Sequence, residues 1–253
     1  MCPARTSSSV IMKQGFDMVK PVRSADIVEI VYEEKCWRLF EELRKRALEL
    51  MEVLVKRGLN PILYGSVARG DVRKGSDVDV FVPHVVPSYK IELALREAKL
   101  EPINREIAVA TPWQLPKAHI YIEEDRLITF PLVKPKQLEV EFYYFGGAAS
   151  SEQVKQAVRV PGVDKRLMLI EPTPQGHVEG PVMGKEAEVA KRVGVGLDIV
   201  RERVQVLTRR ENVGRTGIFI KRALMPNENF EEVFKRLVQS HPEVKVRLKE
   251  QLP

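Results

Sequence analysis

The chain has 253 residues, 44% of them hydrophobic and 30% charged, and its formal net charge is +6. This composition provides an ordinary globular core and excludes a largely disordered chain, while the length suits one large domain or two smaller ones. The modest basic excess is compatible with a polyanionic partner such as RNA or DNA, although charge alone selects none.

The sequence contains no apolar run with the length of a signal peptide or of a membrane span. The two cysteines, Cys2 and Cys36, are too few for a cysteine metal cluster, and their scarcity favours a reducing, intracellular setting. We therefore expect a soluble cytoplasmic protein without a membrane partner.

The first two thirds of the chain predict a single α+β domain. Residues 1–23 are predicted to be an N-terminal arm, and helix is predicted from Ser24 onwards, with a core helix from about Glu34 to Arg57. Two short strands, NPILYGS and SDVDVFV, and the amphipathic helix SYKIELALREAKL come next. Further strands are predicted at EIAVA, HIYIE, LITFPLV, LEVEFYYF and RLMLIEP. This order is typical of an α+β domain with a mixed sheet, here residues 24–170.

A second, smaller domain is predicted after a linker. The segment EPTPQGHVEGPVMG, residues 171–184, is rich in proline and glycine and is predicted to be that linker. EAEVAKRV and LDIVRERVQVLTRR then predict two helices joined by the turn GVG. Ala190, Gly194 and Val200 fall where a helix-turn-helix needs a close crossing, a turn and a packing contact. ENVGRTGIFIKR resembles a hairpin wing, so residues 185–253 are predicted to form a winged helix-turn-helix-like domain.

Basic residues are concentrated on or just after the second predicted helix and in the predicted wing. Such placing suits contacts with the phosphates of a nucleic acid. The residues are Arg201, Arg203, Arg209, Arg210, Arg215, Lys221 and Arg222. Many winged helices are instead modules for packing or protein interaction, and that alternative stays open.

The stretch LYGSVARGDVRKGSDVDVFV, residues 63–82, places two aspartates in an apolar strand. Side chains two residues apart on a strand share a face, so Asp77 and Asp79 point the same way while Val78 and Val80 enter the core. Adjacent like charges raise each other's proton affinity, and a divalent cation between them relieves the repulsion. Their hard oxygen donors suit Mg²⁺ or Mn²⁺. The alternative is an exposed edge strand whose aspartates discourage pairing.

Upstream of the aspartates, the Gly-Ser pair has the features of a phosphate site. Gly65 lets the backbone approach a ligand closely, and Ser66 offers a hydroxyl beside amide groups. If VARGDV begins a short helix, these amides form an anion site at its N-terminus. A metal site beside a phosphate site is what the transfer of a phosphoryl or nucleotidyl group requires.

Gly65-Ser66, the loop VARGDVRKGS and Asp77-Val78-Asp79 together resemble the signature of the DNA polymerase beta nucleotidyltransferase superfamily. The basic loop is most similar to that of archaeal CCA-adding enzymes. The resemblance implies transfer of a nucleoside monophosphate from an NTP to a hydroxyl acceptor, perhaps on RNA, with divalent cations and release of pyrophosphate. It also implies a set of nucleotide-binding residues: Gly65, Ser66, Arg69, Arg73, Lys74 and Ser76.

The resemblance further implies a third acidic residue on a neighbouring strand, which would complete a site for two metal ions. The best candidate strand is LEVEFYYF, on which Glu139 and Glu141 are predicted to share one face. Glu141 is favoured and Glu139 is the alternative, while Glu123 adjoins a predicted hairpin turn. The aromatic residues of the same strand either stack on a base or belong to the core. His119 and His177 have no partner at metal-ligand spacing and receive no role.

Two other functions remain open at the level of sequence. The predicted winged helix and the basic charge fit a nucleic-acid-binding regulator that uses the nucleotidyltransferase fold as a nucleotide sensor. The protein could also be one component of a toxin–antitoxin pair, because small nucleotidyltransferases occur in such systems.

Overall fold

The computed structural model describes residues 20–23, 26–214 and 217–249. The predicted N-terminal arm therefore lies almost entirely outside the described residues. The strands are β1 (Val28–Val31), β2 (Ile62–Tyr64), β3 (Val78–Phe81), β4 (Asn104–Val109), β5 (Lys117–Glu123), β6 (Arg126–Pro131), β7 (Ala148–Ser150), β8 (Gly162–Val163), β9 (Met168–Thr173), β10 (Gly176–Pro181) and β11 (Ile220–Ala223). The helices are α1 (Glu34–Val55), α2 (Ser66–Arg69), α3 (Ser88–Glu97), α4 (Gln137–Phe145), α5 (Ser151–Lys155), α6 (Glu186–Val193), α7 (Leu197–Val213), α8 (Phe230–Ser240) and α9 (Val244–Lys249).

Two sheets organise the described residues. The larger sheet has the order β11-β4-β5-β6-β3-β2-β7, in which β3 and β6 are parallel and the other neighbours are antiparallel. The smaller sheet has the antiparallel order β1-β10-β9-β8. The predicted α+β class with a mixed sheet is confirmed.

Helix α1 covers one face of the large sheet because its apolar residues recur at intervals of three and four. The buried positions of this stripe are Cys36, Phe40, Leu43, Ala47, Leu50, Met51 and Leu54. All of these except Cys36 share one core with Leu63 of β2 and with Val78 and Val80 of β3. The opposite side chains of β3 are thereby directed away from this core, toward the other face of the sheet.

For two elements the predicted secondary structure is wrong. The helix predicted from Ser24 is interrupted by strand β1, which pairs with β10 before α1 begins at Glu34. The predicted strand LEVEFYYF is helix α4. Over such a short segment, alternating polar and apolar residues fit both the two-residue period of a strand and the 3.6-residue period of a helix. The backbone N–H of Lys136 donates to Glu139 (2.7 Å), and this contact caps the first turn of the helix.

The predicted linker, residues 171–184, instead contains most of the β9–β10 hairpin. Its proline and glycine content marks strand ends and a turn rather than a flexible connection. Pro172 is tolerated within β9 because β8 pairs only with Leu169 and Ile170, so no neighbour on that side requires its missing N–H.

The C-terminal region contains the predicted helix pair but a different continuation. Helices α6 and α7 flank a turn in which Gly194 adopts a left-handed conformation (φ 78°), while Ala190 and Val200 are buried. They share a core with α4, β8 and β9. The predicted wing is not a hairpin in the described residues: Ile220–Ala223 pair with β4, and Phe230 of α8 packs on Phe130.

Two observations bear on the predicted location. None of the helices in the described part of the chain is both long and apolar enough to cross a membrane. Cys36 is buried and disulfide-bonded, and Cys2 lies outside the described residues. The cysteines therefore give no support to a reducing compartment, and the cytoplasmic location stays a prediction.

Candidate functional site

The Gly-Ser turn and the two aspartates meet at one edge of the large sheet. Strands β2 and β3 are antiparallel with Tyr64 opposite Asp79, so the residues that follow β2 lie beside those that begin β3. Gly65 and Ser66 are consequently adjacent to the Asp77–Asp79 segment. Asp77 is exposed and Asp79 is partly buried on the face opposite α1.

The electrostatic environment of the two carboxyl groups is unfavourable to charge. Burial, together with the like charge of Asp77, raises the pKa of Asp79 to about 6. Burial also raises the pKa of Asp77, and Asp125 adds to this effect. Lys165 acts in the opposite direction on both pKa values. A divalent cation at this pair would remove the repulsion, and two oxygen donors that share a face fit one such ion.

The turn after β2 has an open approach for a ligand. Gly65 has φ 85°, and no atom lies within 4 Å of the place that a Cβ would take. Its carbonyl accepts from the N–H groups of Ala68 and Arg69, so helix α2 begins at Ser66, one residue before the segment VARGDV. Ser66 Oγ donates to Ser76 Oγ (3.3 Å), which accepts from the N–H of Arg73 (3.0 Å). Ser76 thus holds the loop between the two halves of the site.

The basic residues predicted for the nucleotide have different surroundings. Arg69 is buried: its Nε and Nη2 donate to Asp71 (2.9 and 2.8 Å) and its Nη1 donates to the carbonyl of Gly146 (2.5 Å). These contacts make Arg69 a structural residue of the turn. Arg73 and Lys74 are exposed in the loop that precedes Asp77.

Three glycines, named here the glycine junction (Gly65, Gly147 and Gly162), bring distant segments to the site. The N–H of Gly65 donates to the carbonyl of Gly147 (2.9 Å). A Cβ on Gly162 would lie 2.4 Å from the nitrogen of Gly147, so the two backbones are in contact. Sequence reasoning missed Gly147 and Gly162, whose only local signals are the pairs Gly-Gly and Pro-Gly.

Sequence reasoning also missed Lys165, which lies in the turn between β8 and β9. Its side chain is exposed, and it forms no ion pair with any of the described residues. Its charge is close enough to Asp77 and Asp79 to lower both pKa values. No local pattern marks this lysine, because contacts between segments distant in sequence, such as Gly147 with Gly162, bring its turn to the site.

The glutamates predicted as third ligand are engaged elsewhere. Their predicted shared face depended on a strand, and on helix α4 residues two apart point in different directions. Glu141 accepts from Gln137 (2.8 Å), and Glu139 accepts from Arg247 (2.7 Å). Glu123 pairs with Arg46 (2.6 Å). Over the described ranges, no group of three or more His, Cys, Asp or Glu side chains is placed to hold a metal ion.

The sheet face around Asp79 is polar. Tyr121 donates to Glu106 (3.0 Å), and burial with the nearby carboxylates raises its pKa to about 12. Burial lowers the pKa of Lys117 to about 8, and its Nζ lies 5.0 Å from the ring centroid of Tyr143. His119 contacts Thr129 (2.9 Å).

The aromatic residues and the other histidine have mostly structural surroundings. Tyr143 stacks on Phe81 with 3.6 Å between ring centroids, and Phe145 is buried in the core of α6 and α7. Tyr144 is the exposed member of this group. His177 lies between Tyr32 and Glu179.

The basic residues of the C-terminal region fall into two groups. Arg201, Arg209 and Arg210 are exposed on α7. The others are engaged or lie outside the described residues. Arg203 lies over the ring of Phe142 (5.0 Å), Lys221 pairs with Glu106 (3.4 Å), Arg222 pairs with Glu228 (3.0 Å), and Arg215 is not among the described residues.

Residues 41–133 match the model of a protein family described as a nucleotidyltransferase domain. This stretch is less than half of the chain, and it contains the Gly-Ser turn, both aspartates and strands β2 to β6. The similarity supports the transfer of a nucleoside monophosphate and implies an NTP substrate. Searches of curated proteins and of solved structures gave no match.

Proposed function

We propose that this protein is a metal-dependent nucleotidyltransferase that moves a nucleoside monophosphate from an NTP to a hydroxyl acceptor. One observation carries the proposal: the Gly65–Ser66 turn adjoins Asp77 and Asp79 within the stretch that matches nucleotidyltransferase domains. In the reaction, the acceptor oxygen forms a bond to the α-phosphorus while the bond to the bridging oxygen of the β-phosphate breaks. Pyrophosphate leaves, and the hydroxyl proton passes to solvent water.

Each part of the site has a role in this proposal. Mg²⁺ or Mn²⁺ held by Asp77 and Asp79 would lower the pKa of the hydroxyl and stabilise charge on the phosphates. Ser66 and the first amides of α2 bind phosphate oxygens, which reach them because Gly65 leaves the approach open. The exposed Arg73 and Lys74 attract the triphosphate.

We further propose a nucleic acid, RNA in particular, as the acceptor. The support is the helix pair α6–α7 with its exposed arginines, which packs against α4 rather than standing apart. We propose in addition that the nucleotidyltransferase motif is most similar to that of archaeal CCA-adding enzymes and that the C-terminal region is related to winged helices. A cytoplasmic location is also part of the proposal.

The proposal is tested with NTPs labelled at the α-phosphate, Mg²⁺ or Mn²⁺, and total RNA. We expect metal-dependent transfer of label to RNA, and none when the label is at the γ-phosphate. The double variant Asp77→Ala/Asp79→Ala should lose the transfer, while Glu41→Ala, at an exposed position of α1, should retain it. Equal transfer by the double variant and the wild type would reject the proposal.

A second candidate function is a nucleotide sensor that regulates through a bound nucleic acid. The observation in its favour is Leu127, which lies opposite Asp79 on the neighbouring strand β6, so that this strand offers no carboxylate at that position. A sensor would bind NTP with metal and alter duplex binding without releasing pyrophosphate. The labelled-NTP assay separates the two functions because only the enzyme transfers the α-phosphate label to RNA.

A further inference from the structure

The strands on both sides of β3 place uncharged side chains beside Asp79. Its partner on β2 is Tyr64, and its partner on β6 is Leu127. Paired residues of neighbouring strands are about 4.8 Å apart in the hydrogen-bonding direction. Tyr64 and Leu127 therefore take the places from which a carboxylate on either strand could share a second cation with Asp79.

Asp125 is the acidic residue beside Asp77, and it is committed to another partner. Its carbonyl accepts from the N–H of Val78 (2.7 Å), which puts its side chain near the site. Both of its carboxylate oxygens accept from the Arg46 guanidinium (3.0 and 2.5 Å). A bidentate pair of this kind is strong and geometrically fixed, so Asp125 is held by α1.

Because Asp125 is paired with Arg46, Asp77 and Asp79 are the two carboxylates that we consider as cation ligands. Two carboxylates carry the charge of one divalent cation and offer donors that suit one ion. A second divalent ion would have to share these two carboxylates with the first cation and take its other ligands from phosphate oxygens and water.

The turn that bears Lys165 is rigidly built. The carboxylate of Asp164 accepts from the N–H groups of Arg166 (2.8 Å) and Met168 (3.1 Å). The Arg166 side chain pairs with Glu179 on β10 (2.6 Å). The turn follows Gly162 of the glycine junction, so its position is fixed relative to Gly65 and Ser66. Lys165 alone of its residues is exposed there and without an ion pair among the described residues.

We propose that Asp77 and Asp79 bind a single divalent cation with the nucleotide, and that Lys165 supplies the second positive charge by binding the outgoing phosphates. The inference rests on the proposed function and specifies which positive charges bind the nucleotide at that site. It makes the lysine, contributed from outside the family match at residues 41–133, a binding residue for the triphosphate.

The first test counts bound Mn²⁺ by electron paramagnetic resonance, with a saturating unreactive NTP analogue. We expect one Mn²⁺ per wild-type chain and two per Leu127→Asp chain, which has a third carboxylate. Two ions on the wild type would overturn the inference, as would a count of one for a folded Leu127→Asp variant. If that variant does not fold, the wild-type count decides.

The second test measures the affinity of the same analogue by calorimetry. Lys165→Met should weaken binding about tenfold or more, the range of a lost charge-assisted hydrogen bond, and Lys165→Arg should restore most of it. Lys155→Met, at an exposed position of α5, should bind as the wild type does. Unchanged affinity of Lys165→Met overturns the role of the lysine. A wild type that binds no nucleotide overturns the proposed function as well.

Discussion

Asp79 places a carboxyl group within strand β3. It is partly buried between Tyr64 and Leu127, and its pKa in the folded protein is about 6, against 3.8 for an unperturbed aspartate. The folded state therefore binds the proton more tightly than the unfolded state does. Its contribution to the free energy of unfolding is full below about pH 4 and is lost as the pH rises through about 6.

Asp79→Asn should accordingly stabilise the metal-free protein at pH 7.5, by about 1–3 kcal/mol. Most of the gain should be lost at pH 3.5, where the wild-type carboxyl is mainly protonated in both states. Urea unfolding in EDTA at the two pH values measures this. Asp77→Asn should give a smaller gain because Asp77 is more exposed. A destabilised Asp79→Asn variant at pH 7.5 would contradict the account.

Single residues differ in how far the sequence predicts them. Asp77, Asp79, Gly65 and Ser66 belong to one short stretch, and a strand period with an adjacent turn was sufficient to bring them together. Arg69 lies in the same stretch, but its carbonyl partner could not be inferred because Gly146 is distant in sequence. Lys165 was missed for the same reason.

At the scale of elements, helix α4 was predicted as a strand, and the residues that follow it reach the site through the glycine junction. Residues 137–142 of α4 alternate in polarity and so fit a strand as well as a helix. The choice is made by tertiary contacts that no local pattern contains, such as the stacking of Tyr143 on Phe81. A prediction that depended on the strand, the shared face of Glu139 and Glu141, failed with it.

The glycine junction gives a prediction for the element that carries Lys165. Gly162→Ala should destabilise the protein by about 3 kcal/mol, because its Cβ would clash with the backbone of Gly147 and overpacking costs about this much. It should also weaken NTP binding by displacing Gly65. Gly180→Ala is the matched control, since its Cβ would meet only Ile27 at 3.9 Å. Equal denaturation midpoints for both variants would refute the close contact.

At the scale of the whole molecule, the C-terminal region returns to the large sheet. Strand β11 extends that sheet beside β4, and α8 packs into the main core. The sequence predicted the mixed α+β class and the α6–α7 pair, which depend on local periods. It misassigned residues 171–184 because strand pairing between distant segments leaves no local trace, while proline and glycine are shared by turns and linkers.

The arginines of α7 test the proposed partner. The triple variant Arg201→Ala/Arg209→Ala/Arg210→Ala should bind RNA more weakly, and the dependence of its log affinity on log salt should be shallower by about 0.7 per lost phosphate contact with a single strand. Arg96→Ala, at an exposed position of α3, serves as the control. Fluorescence anisotropy at several salt concentrations measures both quantities. An unchanged slope for the triple variant would exclude α7 as the binding surface.

Metal binding should be visible in the stability of the whole chain. A cation that binds only the folded state stabilises it by about 1.4 kcal/mol at tenfold excess over its Kd, so Mg²⁺ or Mn²⁺ should raise the Tm. Asp77→Asn should abolish this response while the variant stays folded, as circular dichroism can verify. A full metal response in Asp77→Asn would show that the cation binds elsewhere.

The most direct measurement is a crystal structure of the protein soaked with Mn²⁺ and an unreactive NTP analogue. The account predicts an anomalous Mn²⁺ peak at Asp77 and Asp79, with the triphosphate against Ser66 and the start of α2. A nucleotide bound away from the Gly65–Ser66 turn, or Mn²⁺ bound without either aspartate, would contradict it.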